Sequence, residues 1–202
     1  VIIMSRGCPH ACDFCSVAAM NGECYRRIGN ELIMQRLRQL FREKSGERIF
    51  WGDDNFAGKP KETEDLLRQM ADEKLDQDRR YVTQLHAEIG LRRGFPDLLR
   101  RAGVQIATLG LESNNAVSLE SLGKESTREI NIQGVKAIRD AGVLVHGMFI
   151  VGADGDTEES LRDQLEWAEK HVDTAQFFPL GPLPGTRLTQ EMERQGRILS
   201  KA

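Results

Sequence analysis

The chain alternates short apolar runs with helical patterns, and that alternation restricts the folds open to it more than any other feature. Runs rich in β-branched residues cover 1–5, 48–51, 81–85, 104–111, 143–151 and 174–180. Between them lie segments with apolar residues at helical spacing. Asn30 opens one carrying Ile33, Leu37, Leu40 and Phe41, with Gly46 as its stop. Thr63 is placed to cap the next, whose apolar face is Leu66, Leu67, Met70 and Leu75. A short helix starts with Pro96 in its first turn and ends before Gly103. Ser126 with Glu129 forms a capping box ahead of Ile130, Val135 and Ile138, and Gly142 ends that helix. Asp156 with Glu159 offers a second box, before Leu161, Leu165 and Ala168. Six βα units predict an α/β fold, either a partial (β/α)6 barrel of six parallel strands or an open doubly wound sheet.

Both architectures gather ligands at the carboxyl ends of the strands. The segments there are the loop from Gly7 to Cys15, Asp53-Asp54, His86–Glu88, Glu112-Ser113, the Asp154 turn and Gly181–Thr186. All are expected on one face. Length and composition fit a single domain with a sizeable core: 202 residues, 40% of them hydrophobic. A net charge of -3 gives no basic footprint for nucleic acid. No apolar run approaches the roughly 20 residues that span a bilayer. The chain begins without Met inside an apolar run, and 197–202 carries no terminating element. A fragment of a longer protein is expected, with residues 1–202 as its core and flanking domains outside it.

The chemistry concentrates in Gly7-Cys8-Pro9-His10-Ala11-Cys12-Asp13-Phe14-Cys15. Three cysteines spaced C-x3-C-x2-C can converge on one centre only if the backbone loops around it. Gly7, Pro9 and Ala11 suit such a loop. Thiolates favour zinc or iron–sulfur clusters. Three ligands on a 4Fe–4S cluster leave one iron open to another ligand. A zinc site would recruit Cys24, which has no cysteine paired with it at the usual C-x2-4-C spacing. The ferredoxin spacing C-x2-C-x2-C-x3-C is absent. A disulfide framework fits poorly with all four cysteines in the first 24 residues, and the unpaired cluster points to a reducing, cytoplasmic setting. A non-catalytic zinc or electron-transfer module remains the opposing reading.

With Phe14 directly before the third cysteine, this stretch resembles the signature of the radical S-adenosylmethionine (SAM) enzymes. The resemblance implies a 4Fe–4S cluster on Cys8, Cys12 and Cys15, SAM chelated to the open iron, and Phe14 near the adenine. It also implies one-electron reduction of SAM to a 5′-deoxyadenosyl radical, with a donor such as a flavodoxin or ferredoxin. Asp-Asp-x-Phe at 53–56, Gly-x-Glu-Ser at 110–113, Gly-x-x-x-Asp at 152–156 and Pro-Leu-Pro-Gly-Thr at 182–186 extend the resemblance across nearly the whole chain. Their order is similar to the radical SAM proteins that often carry an upstream cobalamin-binding domain. This implies cobalamin-dependent methylation or related bond formation, with cobalamin held outside this chain. Related patterns in the methylthiotransferases supply the alternative.

Among other strand-end residues, Glu112 matches the family glutamate that accepts hydrogen bonds from SAM; its bland alternative is a surface or capping carboxylate. Ser113 assists it or caps a helix. Asp53 and Asp54 are candidates for SAM polar groups, or simply turn formers. Arg128, ahead of Arg26 and Arg27, is the candidate partner for the SAM carboxylate, against the alternative of a solvent-facing arginine. His86 is a proton-transfer candidate without an identified partner. His10 is read as shaping the loop. Asp154 and Asp156 lack the loop of a calcium site. No residues identify the substrate.

Overall fold

The computed structural model describes residues 1–22, 24–43, 48–75 and 80–200. A short pair, β1 (Ser5–Arg6) and β2 (Arg26–Arg27), flanks α1 (Ser16–Asn21). There follow α2 (Asn30–Arg42), β3 (Arg48–Phe50), α3 (Pro60–Asp72), β4 (Arg80–Leu85), a 3-10 turn (Ala87–Leu91) and α4 (Phe95–Arg101). The second half runs β5 (Val104–Glu112), α5 (Ala116–Ser121), α6 (Arg128–Asp140), β6 (Leu144–Val151), α7 (Glu158–His171), β7 (Thr174–Pro179) and α8 (Arg187–Arg194). Strands β3 to β7 pair in sequence order, all parallel, as a curled half-barrel.

Among the described residues the main sheet therefore has five strands, not six. The first apolar run meets it only through the parallel bridge Ile2–Trp51. Beyond that bridge, a neighbouring strand is replaced by one carboxylate. Asp53 Oδ1 accepts the Met4 N–H at 3.1 Å, and the Ser5 N–H and hydroxyl each at 2.5 Å. Ser5 and Arg6 then turn away to pair antiparallel with Arg27 and Arg26.

Alternating residues of β4, β5 and β6 meet the helices in one core. Trp51, Tyr81, Phe95, Leu109 and Phe149 are fully buried there with Leu66, Leu67 and Met70 of α3. Each such side chain contributes about 1.5–3 kcal/mol of transfer free energy. Helix α2 buries Ile33 and Leu37, as its spacing predicts, with Met34 beside them, while Leu40 and Phe41 pack against the core only partly buried; Gly46, its expected stop, lies outside the described residues. Strand β7 is exposed along its length.

Three expected caps fall elsewhere. Thr127, not Ser126, caps α6 by accepting the Ile130 N–H, and the Ser126 hydroxyl turns instead to Asn131. Thr157 and Ser160 form the capping box of α7, while Asp156 accepts from the Gly152 and Ala153 N–H groups and the Ser118 hydroxyl. Thr63 lies within the first turn of α3 and donates to the Phe56 and Lys59 carbonyls. Among the described residues no helix is long and apolar enough to cross a membrane.

Candidate functional site

A cavity of about 540 Å³ opens at the carboxyl ends of the parallel strands, lined along one side by Cys8, Cys12 and Cys15. The loop that carries them is closed by local contacts. Gly7 takes φ +88°, and a Cβ there would lie 2.1 Å from the Cys24 carbonyl oxygen, so only glycine fits this approach. The Gly7 N–H donates to Asp54 Oδ2 at 2.9 Å, and the Cys15 N–H donates to the Cys12 carbonyl at 3.2 Å. Asn55 directs its amide nitrogen to Cys8 Sγ at 3.8 Å.

Burial pushes the Cys12 thiol up to about 11, with nearby Glu112 and Cys15 adding to the rise and Lys124 opposing it. Burial likewise raises Cys15. Thiols gathered on one loop ionise to thiolates beside a cationic centre, as iron provides. The donor set fits a three-cysteine cluster. Cys24 is exposed, outside the cavity lining, and its thiol is met by Arg26.

The opposite wall is built around the end of β5. The pairing register with β6 slips there: Gly110 faces Met148, Glu112 faces Phe149, and Leu111 is the extra residue of a bulge. Glu112 itself has φ +61°, a left-handed conformation costing roughly 1–3 kcal/mol for a non-glycine residue. The turn folds its carboxylate back over Gly110, where a Cβ would stand 2.6 Å from Glu112 Oε1. Asn131 of α6 holds the turn by donating to the Leu111 and Ser113 carbonyls at 3.1 and 3.2 Å. Glu112 Oε1 accepts from Lys124 Nζ at 3.3 Å, with both side chains nearly buried. Burial raises the Glu112 pKa, and Lys124 pulls it back.

His86 lies at the end of β4 and stacks on His10 of the cysteine loop, ring centroids 3.7 Å apart and planes within 10°. His10 Nε2 lies 3.4 Å from Glu88 Oε1. Burial, helped by Lys124 and His10, drives the His86 pKa down to about 2, so its ring is neutral. Ligand atoms of His10, His86 and Glu88 lie within 4.8 Å of one another.

The cavity thus brings together the three cysteines, Phe14, Asp53, Asp54, His86 and Glu112. Asp53 spends one oxygen on the first strand, while its Oδ2 is buried without a hydrogen-bond partner. Ser113 is buried behind the wall, its hydroxyl accepting the Asn115 N–H at 3.0 Å. Arg128 lies outside the lining, half-exposed in an ion pair with Asp163 at 2.6 Å. Arg27 turns to Asn30 and Arg26 to the Asn21 carbonyl. Asp154 also leaves the site, bound to Arg197. Sequence reasoning missed Lys124 and the contact between His10 and His86. Lys124 follows a glycine after the short α5, and its one available clue was the Leu122-Gly123 stop that turns the chain back toward β5.

The sequence matches the Radical SAM superfamily over residues 2–168. It is 30% identical over 93% of its length to an uncharacterized methyltransferase of Pyrococcus horikoshii, and covers 40% of that protein. It is 28% identical over 97% of its length to the bacteriochlorophyllide d C-12(1)-methyltransferase of Chlorobaculum tepidum, covering 43% of it. The chain spans roughly two fifths of the length of these curated relatives. Its fold superposes on the radical S-adenosylmethionine methyltransferase TsrM from Kitasatospora setae, solved with cobalamin and a [4Fe-4S] cluster bound. That match has a TM-score of 0.85 at 20% identity, covering all of this chain and 38% of the other. The match across five sixths of the sequence, with the cysteine loop and the half-barrel behind it, places this chain in the radical SAM superfamily.

Proposed function

We propose that the chain is the radical-generating core of a longer cobalamin-dependent radical SAM methyltransferase. One observation carries this reading: three thiols on one loop share a cavity with a buried Glu112–Lys124 pair. Cys8, Cys12 and Cys15 would hold a 4Fe–4S cluster. When bound, that cluster supplies an electron for reductive cleavage of the sulfonium carbon–sulfur bond of SAM.

The residues of the chain bind, orient and shield. Glu112 and Lys124 present a carboxylate and an ammonium side by side, complementary to the ammonium and carboxylate of an amino acid. They are the residues we assign to the amino-acid end of SAM, in the role first considered for Arg128. Phe14, Met148 and Ile150 offer apolar surface to the adenosyl portion and keep water from the reacting bond. Asp54 braces the cysteine loop through Gly7 and offers its remaining acceptor capacity to polar groups in the cavity. Burial keeps His86 neutral, so its ring offers one donor and one acceptor nitrogen to polar groups in the cavity.

The names of the relatives favour methyl transfer over methylthiolation. The cobalamin we assign to a domain outside this chain, the electrons to a flavodoxin or ferredoxin, and the setting to the cytoplasm. Electron paramagnetic resonance (EPR) on anaerobically reconstituted, reduced protein, with and without SAM, tests the core of the proposal. A 4Fe–4S signal that changes with SAM is expected. Tightly bound zinc without a cluster, or a cluster indifferent to SAM, overturns it.

A further inference from the structure

A segment far along the chain returns to the cysteine loop. Thr186, nearly buried, caps α8 by accepting the Thr189 N–H at 3.2 Å. Just before it, Gly185 takes φ +83°, and a Cβ there would come within 3.3 Å of Ala19 Cβ in α1. The next two residues reach both neighbours of Cys12. Arg187 donates to the Ala11 carbonyl and places Nε 2.8 Å from Asp13 Oδ1. The Leu188 N–H donates to the Asp13 carbonyl at 2.9 Å. From the other side, the Asp13 N–H donates to Leu122 O at 3.1 Å. The backbone flanking the middle cysteine is therefore fixed from two directions.

We infer that Arg187 is a positioning residue for the cluster: its guanidinium fork fixes the Ala11–Asp13 backbone and sets the charge beside Cys12. The inference rests on the radical SAM reading proposed above. The Arg187–Asp13 pair is half-exposed, and such pairs contribute at most about 1 kcal/mol to stability. Its worth lies in placement, because cluster potentials follow local charge, hydrogen bonding and exposure. Reduction adds negative charge to the cluster, which a nearby cation favours. Removing Arg187 therefore lowers the midpoint potential. Neutralising Asp13 raises it.

The test uses the anaerobically reconstituted holoenzyme and measures cluster midpoint potential, EPR line shape and unfolding temperature. R187A is expected to shift the midpoint to more negative values and broaden the EPR signal, with the unfolding temperature almost unchanged. R187K restores part of the potential but not the sharp signal, because one ammonium cannot reproduce the planar fork. D13N shifts the midpoint the opposite way from R187A. An unsubstituted midpoint and spectrum in R187A overturn the inference. Should R187A assemble no cluster, R187K and D13N decide it: shifts of opposite sign support positioning by charge, and equal potentials overturn it. Failure of the unsubstituted protein to form a SAM-responsive cluster is a different result, because it removes the radical SAM reading itself.

Discussion

Glu112 and Lys124 form an ion pair at 3.3 Å in the cavity wall, with side-chain exposures of only 11% and 4%. Removing one partner leaves the other charged group buried without compensation, which typically costs 3–5 kcal/mol. We expect Lys124→Ala to lower stability by about 3 kcal/mol, read by denaturant unfolding. Loss of a charge-assisted hydrogen bond, about 1.5–3 kcal/mol, also predicts roughly ten- to a hundredfold weaker SAM binding. Glu112→Gln should weaken SAM binding over the same range. Calorimetric titration giving unchanged SAM affinity in both variants would remove the pair from the SAM site.

The cysteines make a sharper prediction. Cys8, Cys12 and Cys15 line the cavity, whereas Cys24 is exposed outside it. Cys8→Ala, Cys12→Ala and Cys15→Ala should each lose the intact cluster, judged by iron and sulfide content and by EPR. Cys24→Ala should keep both. A cluster that survives each of the first three changes contradicts the ligand assignment. One lost in Cys24→Ala brings back a four-cysteine site.

The cysteine loop and the strand-end rule were legible because both are local: a spacing, and a periodicity that places loops on one face. What stayed hidden depends on contacts between distant parts of the chain. The first run has the apolar composition of a strand, yet Asp53, 48 residues beyond Ser5, captures its backbone N–H groups. Lys124 looks like any surface lysine until the bulge at Leu111 and the left-handed Glu112 turn a carboxylate toward it. Arg128 follows a helix cap near the active face, but Asp163 of α7 holds its side chain outside the cavity. Caps shifted by one residue at Thr127 and Thr157 because each follows another plausible capping residue. No local rule distinguishes such neighbours.

His86 predicts an acid sensitivity. Its folded pKa is depressed to about 2 from an ordinary value of 6.5. The folded state therefore binds fewer protons than the unfolded state between those values. Stability from neutral His86 is fully present above about pH 6.5 and falls with acidification by about 1.4 kcal/mol per unit. The raised carboxyls of Asp53 and Glu112 act with the opposite sign, so a variant is needed to isolate the histidine. Between pH 7.5 and 5, the metal-free chain should lose about 2 kcal/mol more than His86→Asn does. Parallel stability–pH curves would show that His86 is not held neutral by burial.

The turn that presents His86 depends on a glycine contact. Helix α6 meets the 3-10 turn through Gly134, whose added Cβ would lie 2.1 Å from the Ala87 carbonyl oxygen. From the other side, a Cβ on Gly90 would come within 2.4 Å of the Gly134 carbonyl oxygen. These obstacles are backbone, so no side chain can rotate aside to make room. In an exposed helix, Gly→Ala gains up to about 1 kcal/mol from propensity. Here overpacking costs about 1–3 kcal/mol and has to separate α6 from the turn. The same helix carries Asn131, which holds the Leu111–Ser113 turn. A displacement of α6 therefore reaches both His86 and Glu112. Gly134→Ala should destabilise the protein and weaken SAM binding together, although neither Gly134 nor Asn131 lines the cavity. Gly94→Ala is the control for glycine loss alone: its φ of +76° imposes backbone strain, but nothing lies within 4 Å of an added Cβ. It should lower stability with SAM affinity unchanged. Equal loss of SAM affinity in both variants would mean that global destabilisation, not the α6 contact, governs the site.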